Sequence, residues 1–190
     1  MSIIARSRLI RPLYAAMLGV LAAACSSSEE HASYRCPRAA VIADAAAMTQ
    51  FKPGTGEDPI DVDFTTEISD LASGCQFKQI SEDRYDLVVA VAPVMDTTRG
   101  PANEDRQAQL FYFVSLVGPD QVILSKQQFD ENISFIGNQR RVRTHLDDPP
   151  ITIDIPNILP TDAIKYDILI GLQLTPEQLE YNRRRQQVLR

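Results

Sequence analysis

Tyr166-Asp167-Ile168-Leu169-Ile170-Gly171-Leu172-Gln173-Leu174 sets a large apolar side chain at every second position. Successive side chains of a strand point to opposite faces, so a period of two predicts a half-buried β-strand. Directly after it, Thr175-Pro176-Glu177-Gln178 has the T-x-x-Q spacing of a capping box, with proline at the first helical position. Leu174 and Leu179 are spaced for a hydrophobic staple. Acids at Glu177 and Glu180 precede Arg183, Arg184, Arg185 and Arg190, the order that complements a helix dipole. The expectation is a strand followed by a C-terminal helix over 176–188.

Upstream the same period recurs. Val62, Phe64, Thr66 and Ile68 alternate with polar residues, and the apolar set resumes on the other parity at Leu71, Cys75 and Phe77. A bulge near Asp70 or Gly74 accounts for the slip. Tyr85, Leu87, Val89 and Val91 form another alternating run. Leu110 to Val117 is apolar on both faces, as a central strand would be. Gly118-Pro119-Asp120-Gln121 is a turn, from which Val122 to Phe129 pairs back as a hairpin. Ile133–Ile136, Arg140–Arg143 and Ile151–Ile155 are shorter strand candidates. Arg38 to Phe51 is ambiguous, with strand character at Val41-Ile42 and a helical turn over Asp44–Met48, before the turn-rich Lys52-Pro53-Gly54-Thr55-Gly56. Many short strands separated by turn signals predict a mainly β protein, an antiparallel β-sandwich with a C-terminal α-helix.

Leu159-Pro160-Thr161 followed by Tyr166-Asp167-Ile168-Leu169-Ile170 resembles the fibronectin type III pattern. In that family a leucine-proline turn precedes a strand with an early tyrosine, and the tyrosine closes a corner onto upstream backbone. The resemblance covers about fifteen residues and implies an immunoglobulin/fibronectin III-like sandwich. The chain departs from the pattern in having no tryptophan, and in a helix where a final strand would stand.

The N-terminus speaks to location. Arg6, Arg8 and Arg11, with no acid beside them, precede an apolar run from Leu13 to Ala24 that ends in small residues. That is signal-peptide anatomy, and the run is too short to remain as a spanning helix. Ala22-Ala23-Ala24-Cys25 resembles the lipobox of bacterial lipoprotein precursors, with Ala22 where leucine is usual. The resemblance implies cleavage before Cys25 and acyl chains on that cysteine. Ser26 after it implies the periplasmic face of the outer membrane. The alternative is plain secretion, because Ala22-Ala23-Ala24 also fits an A-x-A cleavage site. Residues 1–24 are thus expected to be a signal peptide and 25–35 a flexible tether. Residues 36–175 would be the sandwich domain and 176–190 the helix. Cys36-Pro37, Gly74-Cys75, Arg99-Gly100-Pro101-Ala102, Tyr112-Phe113-Val114 and Gly171 to Leu179 are similar to stretches of an uncharacterised family of proteobacterial lipoproteins. That resemblance bears on localisation and fold and implies no activity.

Removal of residues 1–24 takes three arginines and no acid, leaving 16 basic residues against 25 acidic ones and a net charge of −9. Such a chain is a poor ligand for nucleic acid, which selects basic surfaces. With Cys25 acylated, Cys36 and Cys75 remain. In an oxidising compartment they are expected to pair, the alternative being two buried free thiols.

No sequence motif for catalysis emerges. His31 and His145 have no nucleophile partner, and there is no G-x-S-x-G. Asp58, Asp61 and Asp63 lack EF-hand spacing and suit the solvent face of a strand, and Asp147-Asp148 before Pro149-Pro150 suits a turn. Gly54-Thr55-Gly56 is not followed by Lys-Ser or Lys-Thr, so there is no phosphate loop. The carboxylates needed for glycoside hydrolysis are present by number alone, without aromatic sugar platforms. No enzyme, cofactor or metal site is expected. Arg183, Arg184 and Arg185 form the main basic cluster, Arg140, Arg141 and Arg143 a looser one, and Arg99 opens a polar loop between two strong strands. These are the candidates for contact with an unknown envelope protein. The competing expectation is a carrier or sensor holding an apolar small molecule or lipid between the sheets.

Overall fold

The computed structural model describes residues 34–188, the side chain of Val188 excepted. The expected signal peptide, Cys25, His31 and residues 26–33 of the expected tether lie outside the described residues. The chain is a sandwich of two sheets with a C-terminal helix. Its strands in order are β1 (Arg38–Val41), β2 (Ala47–Phe51), β3 (Val62–Gln79), β4 (Tyr85–Arg99), β5 (Gln107–Val117), β6 (Ile123–Ser134), β7 (Arg141–His145), β8 (Ile151–Ile158) and β9 (Asp167–Leu172), followed by α1 (Pro176–Val188).

One sheet, here sheet A, runs β1-β9-β5-β6; the other, sheet B, runs β2-β3-β4-β7, with β8 also pairing β4. Every pairing is antiparallel except β1 with β9, which is parallel. The last strand therefore lies between the first strand and β5, a neighbour that alternation alone cannot name.

Alternation becomes burial. Ile168, Ile170 and Leu172 of β9 point inward beside Leu110, Tyr112, Val114 and Leu116 of β5. They join one core with Phe64 and Ile68 of β3, Leu87, Val89, Val91 and Met95 of β4, and Ile153, Ile155 and Ile158 of β8. Each fully buried aliphatic side chain contributes about 1.5–3 kcal/mol. The slip in β3 is a bulge: Ile68 faces Met95 and Asp70 faces Val94, so Ser69 is the extra residue.

Several elements differ from expectation. The ambiguous segment is two strands joined by a short 3-10 turn at Ala43–Ala45, because β9 and β3 each offer it an edge to pair with. Ile133 belongs to β6 rather than to a separate strand, since β6 follows β5 along its whole length. β5 is buried on both faces only over Val114–Val117; at its other end Phe111 is 47% exposed. Order begins before Cys36: the Tyr34 ring stands 5.3 Å from Phe77 and 5.5 Å from Tyr85. In the fibronectin-like corner, main chain closes the turn. Asp162 N–H donates to the Leu159 carbonyl and Tyr166 N–H to the Ala163 carbonyl.

Cys36 and Cys75 form a disulfide with Cα atoms 5.7 Å apart, tying the segment just before β1 to β3 in sheet B. The capping box forms as its spacing requires. Thr175 N–H donates to Gln178 Oε1 at 2.8 Å, and Gln178 N–H to Thr175 Oγ1 at 3.2 Å.

Candidate functional site

Strand register builds a polar surface on the outward face of sheet B. Inward residues of β3 and β4 are apolar or satisfied threonine, so the opposite parity forms the outer face of the sheet. Pairing aligns that parity into two rows. Thr49 faces Thr65, Thr65 faces Thr98, and Thr98 faces Arg141. Alongside, Ala47 faces Glu67, Glu67 faces Asp96, and Asp96 faces Arg143.

Helix α1 stands at the β2 side of these rows. Asn182 Nδ2 donates to the carbonyls of Ala47 at 2.6 Å and Asp44 at 3.2 Å. Gln178 Nε2 donates to Gln50 Oε1 at 2.9 Å. Tyr181 meets the Phe51 ring edge-on at 5.2 Å. Between helix and strands lies a groove of about 450 Å³, lined among others by Thr49, Thr65, Thr98, Arg141, Asn182 and Arg185.

The buried carboxylate of this face is Asp96, whose side chain is 8% exposed. Its Oδ2 lies 3.3 Å from Arg141 and 3.8 Å from Arg143. The Ser69 hydroxyl and then these two guanidinium groups hold its carboxyl below the usual carboxylate range, against the opposing effect of burial. Glu67 reaches Arg141 from the exposed side at 3.6 Å.

The three helix arginines part company in the fold. Arg183 pairs with Asp44 at 3.0 Å and Arg184 with Glu57 at 2.6 Å, so both dock the helix. Arg185 turns to the groove, with its guanidinium 5.8 Å from the centre of the Tyr181 ring and no carboxylate partner among the described residues. Arg99 is bound into its own loop. Its Nη2 donates to the Asn103 carbonyl at 2.6 Å, and Asn103 Nδ2 donates to Asp63 Oδ1 and to the Gln107 carbonyl. Gly100 has no room for a side chain, since a Cβ there would overlap the Val62 carbonyl. Arg99 and Arg140 also flank a recess of about 380 Å³ beside β7.

Asp96, Glu67 and the threonine row are not singled out by local pattern, and His145 is exposed on β7. Arg141, Arg143 and His145 share one parity of a strand, and that signal was present. The acids that organise the arginines were not legible, because they come from other strands.

Asp63 is engaged by Asn103, and Asp147-Asp148-Pro149-Pro150 is a turn with a cis Asp148–Pro149 bond. Among the described residues there is no group of three His, Cys, Asp or Glu side chains that could hold a metal ion. Among the same residues no helix is long and apolar enough to cross a membrane.

Fold and face together define a β-sandwich with a helix-walled, arginine-flanked groove on one sheet. No family model matches the chain, and no curated protein or solved structure matches it.

Proposed function

We propose that the protein is a non-catalytic interaction module of the cell envelope, anchored by acyl chains on Cys25 at the periplasmic face of the outer membrane. The observation that carries the contact role is convergence. Arg141 and Arg185 come from separate basic clusters, yet both line one groove on the outward face of sheet B. Guanidinium groups held beside threonine hydroxyls suit polar and anionic groups of a partner protein. The anchor half of the reading rests on the sequence of residues 1–25. The carrier reading gains no support from β5, whose inward Leu110, Tyr112, Val114 and Leu116 fill the core.

The test is crosslinking of the tagged full-length chain in intact cells, followed by recovery in mild detergent. One partner near stoichiometric yield is expected, reduced in an Arg141→Ala/Arg185→Ala double variant and retained in Lys78→Ala, which changes an exposed lysine of β3 outside the groove. No recurring partner, or equal recovery with the double variant, would sink the contact reading. Cys25→Ser should release the chain from membranes if the anchor is correct.

A further inference from the structure

β7 ends sheet B, and among the described residues only β4 pairs with it. An edge strand carries main-chain N–H and C=O groups that an incoming strand can use. The side chains of β7 divide by parity. Arg141, Arg143 and His145 are exposed, whereas Val142 and Thr144 are half-buried, with Val142 packed on the core. Alternate residues of a strand stand about 6.6–6.8 Å apart, so this edge is a three-step ladder of basic side chains.

The ladder is held rather than floppy. Asp96, buried beneath it, contacts both Arg141 and Arg143, and Glu67 contacts Arg141 alone. The edge also excludes occupants. A second copy of β7, or any basic segment, would set like charges directly opposite one another, which destabilises a strand pair. An acidic strand has the opposite sign to Arg141 and Arg143. A bilayer surface is a worse fit: the exposed side chains here are polar, and they stand beside a groove rather than on an apolar protrusion.

We propose that β7 receives an extended segment of a partner protein as an added strand. Carboxylates at alternate positions of that segment face Arg141, Arg143 and His145, and an apolar residue between them faces Val142. This rests on the interaction reading above and specifies what the partner must present: acid, apolar, acid, in a chain free to extend. Main-chain hydrogen bonds supply affinity and the alternate side chains supply selectivity, as in other cases of strand addition.

The test uses the full-length chain in mild detergent and a fluorescein-labelled nine-residue peptide alternating glutamate with valine, read by anisotropy. Three comparison peptides separate the causes. One has its glutamates gathered in a block, one is N-methylated at alternate amides so that it cannot donate to an edge, and one carries lysine for glutamate. The alternating peptide should bind, and each comparison peptide should bind at least about tenfold more weakly. An Arg141→Ala/Arg143→Ala variant should lose about tenfold, the equivalent of two cross-strand ion pairs at about 0.7 kcal/mol each. Arg183→Ala should bind as the parent does. The N-methylated peptide probes the native chain, so its result stands even if the double variant folds poorly.

Equal binding of the N-methylated or block peptide would overturn strand addition, as would an unaffected double variant with a native melting curve. No binding at all would do the same, and so would tighter association with phosphatidylglycerol vesicles than with the peptide. If the peptides fail while partner recovery in cells still depends on Arg141 and Arg185, the mode of contact is wrong and the interaction reading survives. If both fail, both fall.

Discussion

The two halves of β3, divided at the Ser69 bulge, are secured by different chemistry. From Val62 to Ile68 the strand is flanked by β2 and β4, and Phe64, Thr66 and Ile68 are buried. That half sits within reach of α1, which is attached by replaceable polar contacts from Asn182, Gln178, Arg183 and Arg184. From Asp70 to Gln79 the strand pairs with β4 alone among the described residues, and most of its side chains are exposed. There the Cys36–Cys75 bond and the Tyr34, Phe77 and Tyr85 rings hold it to the sandwich. Where burial is thin the chain uses a covalent tie. Where burial is ample it can place weak, exchangeable contacts next to a groove.

The sharpest way to break this contrast is to remove the tie. A Cys36→Ser/Cys75→Ser chain should lose about 4 kcal/mol in urea unfolding, the chain-entropy value for a loop of this size. A loss under about 1 kcal/mol would mean that the aromatic contacts suffice and the two halves are not so different. On the helix side, Asn182→Ala removes two hydrogen bonds to backbone carbonyls and should cost about 1 kcal/mol. Hydrogen exchange should show faster loss of protection in α1 than in β4; uniform change would show that the helix is part of the core unit.

A smaller effect should follow pH. The carboxyl of Asp96 titrates lower in the folded chain than unfolded, so its ionised form stabilises the fold above the ordinary aspartate value of about 4. That contribution is lost as pH falls through the depressed folded value. Asp96→Asn should flatten the acid limb of a stability profile below about pH 4, and an unchanged limb would assign acid sensitivity elsewhere. The least effect is expected from Arg184→Ala. Its pair with Glu57 is half-exposed on both sides, and such pairs contribute at most about 1 kcal/mol. The difference from the parent should shrink further in about 1 M salt, where the screening length falls to about 3 Å.

Much of this architecture was legible as local pattern. The alternation at Ile168, Ile170 and Leu172 named β9 and its buried face, and the parity slip after Ile68 called for a bulge near Asp70 or Gly74, of which register selects the Asp70 end. Thr175 and Gln178 announced the helix start because a capping box is complete within four residues. Arg38–Phe51 was legible only in part: strand character at Val41 and a turn at Asp44 were readable, but the extent of β1 and the existence of β2 depend on partners at β9, more than a hundred residues away, and on β3. The candidate face was half legible: its arginines stood out as clusters, but Arg183 and Arg184 turned out to be docking contacts and Arg185 the one facing the groove.

By itself the sequence determined a β-rich chain with a capped C-terminal helix and a pair of cysteines suited to bonding. Each of these follows from neighbours in the chain, where spacing and residue type are sufficient. Only the tertiary structure decided that β9 lies between β1 and β5, and that Asp96 lies beneath Arg141 and Arg143. It also brought Arg141 and Arg185 to one groove. Those adjacencies are set by which sheet edges remain to be paired and which apolar faces remain to be buried once the whole chain has collapsed.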